Sequence, residues 1–182
     1  MLYTRKGDDG KTKDFKGDDR HSKNSIKTEA LGTVDELNSF LGLVKVKGKT
    51  SDLSFNGVGL DAIVHEVQKN LFIVQAEMAG AEKNIKEEKI KNMEAVIDDI
   101  EKKLPELKQF AISGGTEMNA LLHTARAIAR RAERKTVAYH EEVRELNEQT
   151  RQYMNRLSSL LYALARLANH LSGINEESPD YE

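Results

Sequence analysis

The chain has no cysteine and no tryptophan, only two prolines, and 5% aromatic residues. Without cysteine there is no disulfide, no thiolate metal centre and no cysteine nucleophile, and a reducing cytoplasm suits such a chain. Scarce proline removes the strongest helix breaker, and abundant Ala, Leu, Glu, Lys and Arg favour long helices. No run of about 18 apolar residues occurs, so no membrane-spanning helix is expected. The polar opening MLYTRKGDDG lacks the apolar stretch of a signal peptide. Lys and Arg number 28 against 30 Asp and Glu, so the basic excess of a nucleic-acid binder is missing. There is no P-loop and no HExxH zinc helix. None of His21, His65, His123, His140 and His170 follows a glutamate by three residues, which removes the di-iron pattern of helical bundles. No protein-held metal is expected.

What remains is a helical pattern. A length of 182 residues suits one domain, and 38% hydrophobic residues supply its core. Residues 1–24 have no amphipathic period and form a polar, flexible segment. Residues 25–172 carry five helical stretches, near 26–47, 60–81, 85–104, 116–140 and 146–171. Their apolar stripes include Val34, Leu37 and Leu41 in the first, and Val67, Leu71 and Val74 in the second. In the fourth they are Leu121, Ala125, Ile128, Ala132 and Val137, and in the fifth Leu157, Leu161 and Leu164. Pro105 ends the third stretch. Residues 173–182 are an acidic tail expected to fray. No strand pattern stands out. The expectation is an all-α, five-helix up-and-down bundle.

The chemistry concentrates in residues 110–135. A glycine pair precedes a helix with Arg126, Arg130 and Arg134 at steps of four, and Arg131 beside them. Such steps stack guanidinium groups in one stripe, which needs carboxylates or an anionic ligand to settle it. Two readings fit: ion pairs on a solvated face, or a polyphosphate site. His123 lies on the same face, although a lone helical histidine is most often structural. Glu133 would orient the arginines. Asn155 and Arg156 sit in an otherwise apolar helix, where Asn155 also suits a helix–helix hydrogen bond. Asp35 lies one turn from apolar neighbours and needs a partner if it leaves solvent. In the first segment, Gly7, Gly10 and Gly17 permit tight turns whose N–H groups face phosphate, and Thr4, Thr12, Lys11, Lys13 and Lys23 add donors. Together these pieces suit a nucleoside triphosphate bound without a P-loop.

Four blocks carry a family resemblance. They are TRKGDDGKT at 4–12, EALGTVDELNSFLG at 29–42, FAISGG with LHTARAIARRAER at 110–134, and YMNRLSSLLYALAR at 153–166. They resemble, in order, the N-terminal, first-helix, loop-and-arginine-helix and last-helix blocks of the PduO-type ATP:cob(I)alamin adenosyltransferases, the corrinoid adenosyltransferases. The resemblance implies transfer of the 5′-deoxyadenosyl group from ATP, with Mg2+, to cob(I)alamin, giving adenosylcobalamin and triphosphate. It implies a homotrimer with active sites between subunits, and delivery of product to an adenosylcobalamin-dependent enzyme. By position, Thr4, Arg5, Lys6, Gly7, Thr12, Lys13, Lys23, Arg130, Arg131, Glu133, Arg134 and Asn155 match ATP-site residues. Asp35 and Arg126 match an acid–arginine pair that bridges subunits. Phe110 matches the aromatic residue that faces the corrin and displaces its lower axial base, and with Arg130 and Arg134 it forms the implied catalytic set. Lys6 stands where the family usually has Thr, Ser113 where it has Pro, and SKNS where it more often has SKDD. The alternative function is a non-catalytic nucleotide- or corrinoid-binding sensor or carrier.

Overall fold

The computed structural model describes residues 3–13, 20–51, 53–106, 109 and 111–181. Five helices dominate: α1 (Ile26–Thr50), α2 (Leu60–Met78), α3 (Glu87–Glu101), α4 (Glu117–Glu142) and α5 (Glu148–Leu171). Four short strands accompany them, β1 (Lys11–Lys13), β2 (Arg20–Ser22), β3 (Ser54–Phe55) and β4 (Val58–Gly59). β1 pairs antiparallel with β2, and β3 with β4. The sequence pattern showed no strand because two or three residues are too few to display an alternation.

Cross-helix contacts set the directions. Lys47 pairs with Glu117 and Lys135 with Glu29, so α1 and α4 run antiparallel. Asn38 contacts Gln68, and Asp35 contacts Gln75, so α1 and α2 are antiparallel too. Glu133 meets Asn155 while Asn119 meets Ala165, which makes α4 and α5 antiparallel. The packing order is α2, α1, α4, α5, α3. This is the expected up-and-down bundle. Fully buried Leu37, Leu41, Leu71, Leu122, Leu157 and Leu161 form its centre.

The stripe of α4 differs from the expected one. Met118, Leu122, Ala125, Ala129, Ala132, Thr136 and Tyr139 are buried, Leu121 and Ile128 are partly exposed, and Val137 is 42% exposed. The reason is that α4 packs against α1 on one side and α5 on the other. Its buried face is therefore broad, and three alanines allow close approach on both sides. The tail differs as well. Gly173, at φ 69°, ends α5, and the chain folds back instead of fraying. Ile112 N donates to Glu177 O at 2.8 Å.

A buried polar knot ties α2 to the start of α5. Glu77, 9% exposed, accepts hydrogen bonds from Asn147 N and Thr150 Oγ1, both at 2.6 Å. Thr150 Oγ1 in turn accepts from Ile85 N at 3.2 Å. Thr150→Val keeps the shape but leaves a carboxylate oxygen and a backbone donor without that partner. Unfolding by denaturant should show a loss of about 1–3 kcal/mol. An unchanged midpoint would show that water replaces the hydroxyl.

Candidate functional site

Steps of four along α4 bring Arg126 and Arg130 to one cavity of about 450 Å³ between α3, α4 and α5. His123, Tyr162, Arg166 and Ser113 complete the walls used below. His123 packs edge-on against Tyr162, with ring centroids 5.8 Å apart. His123 Nδ1 and Arg126 Nε are buried and lack a hydrogen-bond partner among the described residues. Both residues line the cavity, and these two nitrogens are closed off from solvent.

Burial, and secondarily the Arg126 cation, push the His123 pKa below its usual 6.5, while Glu176 opposes them. The imidazole is thus held neutral in the folded chain. A base with a lowered folded pKa makes the unfolded chain take up more protons, so stability is lost as pH falls below about 6.5. Stability measured between pH 7 and pH 5 should fall in the wild type, and His123→Gln should flatten that slope. Equal slopes in both proteins would remove His123 as the cause.

The four arginines separate into two groups. Arg131 forms an ion pair with Glu36 of α1, and neighbouring Lys135 pairs with Glu29 at 3.3 Å. Arg130 and Arg134 are exposed, with no ion-pair partner among the described residues. Arg130 lines the first cavity and Arg134 lies one turn further along α4, and two neighbouring cations left uncompensated attract an anion. Glu133 is held from the other side: Asn155 Nδ2 donates to Glu133 Oε1 at 2.7 Å. Arg156 Nη1 donates to Asn155 Oδ1 at 2.9 Å, and Arg156 Nε to Glu94 Oε1 at 3.0 Å. The asparagine thus makes the helix–helix bond and fixes the acid beside the arginines.

The N-terminal segment forms a second cavity of about 520 Å³ around the β1–β2 hairpin. Thr4, Arg5, Lys6, Gly7, Thr12, Lys13 and Lys23 all line it, joined by Lys11, Arg20 and Asp8. Arg5 sits at φ 59°, in the left-handed region. Lys23 Nζ donates to Gly7 O at 2.8 Å, and a Cβ at Gly7 would lie 2.8 Å from that nitrogen. A side chain at position 7 would displace the flexible end of Lys23 from this bond. Arg20 grips both oxygens of Asp9 at 2.9 and 2.8 Å and also binds Lys6 O. That guanidinium, with the Lys11 backbone N–H, holds the Asp9 carboxyl below its ordinary pKa. Arg20 was not singled out from sequence, because its role depends on the pairing of β1 with β2. Arg166 and Tyr162 were missed likewise, since they lie on the apolar-looking α5.

The two cavities share no lining residue. Asp35 is exposed, and its Oδ1 accepts a long, 3.5 Å bond from Gln75 Nε2. Within one chain no ion pair joins it to Arg126 among the described residues. Phe110 lies outside the described residues, while Ala111 and Ser113 just after it line the first cavity. Among the described residues no helix is long and apolar enough to cross a membrane.

A family model described as cobalamin adenosyltransferase matches residues 2–168. A corrinoid adenosyltransferase of Bacillus subtilis (strain 168) is 37% identical over 179 residues, covering 96% of this chain and 90% of that protein. Another from Citrobacter freundii is 37% identical over 186 residues, covering 98% and 97%. The fold is similar to a phenylalanine-to-alanine variant of a PduO-type ATP:corrinoid adenosyltransferase from Lactobacillus reuteri, complexed with cobalamin and ATP. That match has a TM-score of 0.87 and 32% identity over 98% of this chain and 99% of that one. An arginine-to-lysine variant from the same organism, complexed with ATP, matches with a TM-score of 0.86 and 32% identity. It covers 98% of this chain and all of the other.

Proposed function

The chain belongs to the cobalamin adenosyltransferase family and transfers the adenosyl group of ATP to cob(I)alamin, and we propose that Arg130 and Arg134 hold the departing triphosphate. One observation carries this assignment: Arg130, which lines the cavity, and Arg134, one turn further along α4, have no ion-pair partner among the described residues, while Arg131 beside them is neutralised by Glu36. The spacing of the relatives' variants supports it. The phenylalanine and arginine exchanged in the Lactobacillus reuteri proteins lie 20 positions apart, as Phe110 and Arg130 do here.

In the reaction the electron pair of Co(I) attacks C5′ of ATP. A cobalt–carbon bond forms, the C5′–O bond breaks, and its electron pair leaves with triphosphate. The corrinoid substrate carries the nucleophile, so the chain needs to position both reactants and stabilise the leaving charge. Arg130 and Arg134 face the phosphates. Glu133, fixed by Asn155, takes its place beside them at the nucleotide. The hairpin residues Thr4, Arg5, Lys6, Gly7, Thr12, Lys13 and Lys23 close over the nucleotide, and Arg131 borders it. Mg2+ accompanies the phosphates. Among the described residues no cluster of three or more His, Cys, Asp or Glu could hold a metal, so the ATP oxygens and water would carry it.

We assign the corrinoid to the cavity of His123 and Tyr162, with Phe110 against its lower face. The hairpin cavity and the arginine cavity share no wall in one chain. A homotrimer, with the hairpin of one subunit over the α4 arginines of the next, would complete the site. Asp35 would then meet Arg126 across the interface. Asp35→Asn is expected to shift trimers toward monomers, read by sedimentation. An intact trimer with wild-type kinetics would leave Asp35 a surface acid. Work in the cytoplasm and handover of the product to an adenosylcobalamin-dependent enzyme fit the same reading.

The experiment is an anaerobic assay with chemically reduced cob(I)alamin, ATP and Mg2+. The expected result is adenosylcobalamin with one triphosphate released per product. Tight binding of both substrates without product would favour the sensor or carrier.

A further inference from the structure

One side chain of β2 holds the loop of residues 5–11, which borders the hairpin cavity, at three points. Arg20 grips both oxygens of Asp9, at 2.9 and 2.8 Å, and its Nη2 also donates to Lys6 O. A longer bond, 3.4 Å, runs from the same nitrogen to Lys11 O. Asp9 Oδ1 accepts from Lys11 N as well, at 3.1 Å. Around this clamp the loop makes two turns, closed by Asp8 N on Arg5 O at 3.4 Å and by Gly10 N on Gly7 O at 3.2 Å. Arg5, at φ 59°, holds a conformation that a residue other than glycine seldom keeps without support from its surroundings.

The clamp is open to solvent, with 40% of the Arg20 side chain and 51% of the Asp9 side chain exposed. An ion pair so placed contributes little to stability. Its geometry supplies two other things. The first is direction. The peptide bonds are trans, so a C=O and the N–H that follows it point opposite ways. Fixing Lys6 O on Arg20 therefore turns the Gly7 N–H away from Arg20. No hydrogen bond among the described residues claims that N–H, and Gly7 lines the cavity. The second is charge. The loop carries two adjacent acids, Asp8 and Asp9, and an uncompensated carboxylate beside a phosphate chain repels it. Arg20 covers both oxygens of Asp9, and Asp9 is kept out of the cavity lining.

Resting on the nucleotide assignment of the hairpin above, we propose that Arg20 is a positioning residue for ATP. Through Lys6 O and Asp9 it shapes the 5–11 loop so that the Gly7 N–H and the loop's cations meet the phosphates. It acts through the loop and leaves contact with the phosphates to its neighbours.

The test measures the ATP dependence of the same assay for Arg20→Gln, Asp9→Asn and the double variant, together with the thermal shift that ATP induces in each. Arg20→Gln should raise the KM for ATP about tenfold and shrink the ATP-induced shift, while kcat at saturating ATP stays within about twofold. Asp9→Asn should raise the KM about threefold, because Arg20 keeps Lys6 O but loses its charged partner. The double variant should be no worse than Arg20→Gln, because the two residues act as one unit. Arg20→Lys, with a point charge in place of the planar fork, should recover only part of the loss. Thermal midpoints without ATP should not move. A wild-type KM in Arg20→Gln would overturn the proposal. So would a raised KM in Arg20→Gln beside an unchanged or lowered one in Asp9→Asn, because Arg20 would then touch phosphate itself. A lower midpoint without ATP, with the ATP-induced shift intact, would mark a purely structural pair and overturn it too. A variant carrying both Lys6→Ala and Lys13→Ala serves as the control. If it loses ATP affinity while Arg20→Gln keeps it, only this inference fails. If neither loses it, the nucleotide assignment of the hairpin fails as well.

Discussion

Arg130→Ala is expected to slow adenosyl transfer about a hundredfold or more. As the C5′–O bond breaks, negative charge grows on the triphosphate. A preplaced cation stabilises that charge without having to reorganise, and removing one such donor costs roughly 3–4 kcal/mol of barrier. Each 1.36 kcal/mol is about a factor of ten in rate, so the loss falls between about a hundredfold and a thousandfold. Arg130 suits this role because no carboxylate among the described residues claims it, so no ion pair must be broken to recruit it. ATP affinity should fall much less than kcat if, as proposed, the hairpin cations still grip the phosphates. Single-turnover rates at saturating ATP provide the check. A rate near wild type would mean that the α4 stripe is only a solvated face.

Phe110→Ala is expected to lose activity by about a hundredfold while ATP binding stays within about twofold. On the proposed assignment, its aromatic ring against the lower face of the corrin would exclude water and the axial base. The cobalt would be left four-coordinate and easier to reduce. Alanine would leave room for the base to return, so spectra with ATP should show five-coordinate cob(II)alamin. Unchanged turnover in Phe110→Ala would remove that ring from the mechanism.

The bundle was legible because helical periodicity is a local signal. Val34, Leu37 and Leu41 recur at three and four, and the structure buries all three. The α5 stripe of Leu157, Leu161 and Leu164 is likewise fully buried. The α4 stripe was partly misplaced because sequence spacing identifies a face, not the number of neighbours. With α1 and α5 on two sides, Ala129 and Tyr139 go inside while Val137 stays out. The seven N-terminal residues matched through the family resemblance line one cavity, and of those offered by composition Gly10 does not line it while Gly17 lies outside the described residues. The N-terminal hairpin was not readable, because pairing Thr12 with His21 is a contact between strands of three residues.

The sequence alone determined the helix count, the cationic stripe, the glycine-and-lysine segment and the family blocks. All depend on residues close together in the chain or on matched order along it. The tertiary structure decided which arginines remain free, because Glu36 lies 95 residues from Arg131 and meets it only once α1 packs on α4. It also decided that the acidic tail folds back, because Glu176 finds Arg166 and Ile112 binds Glu177 only after α5 has turned at Gly173. Charge partners are chosen by distance in space, and chain order does not encode that distance.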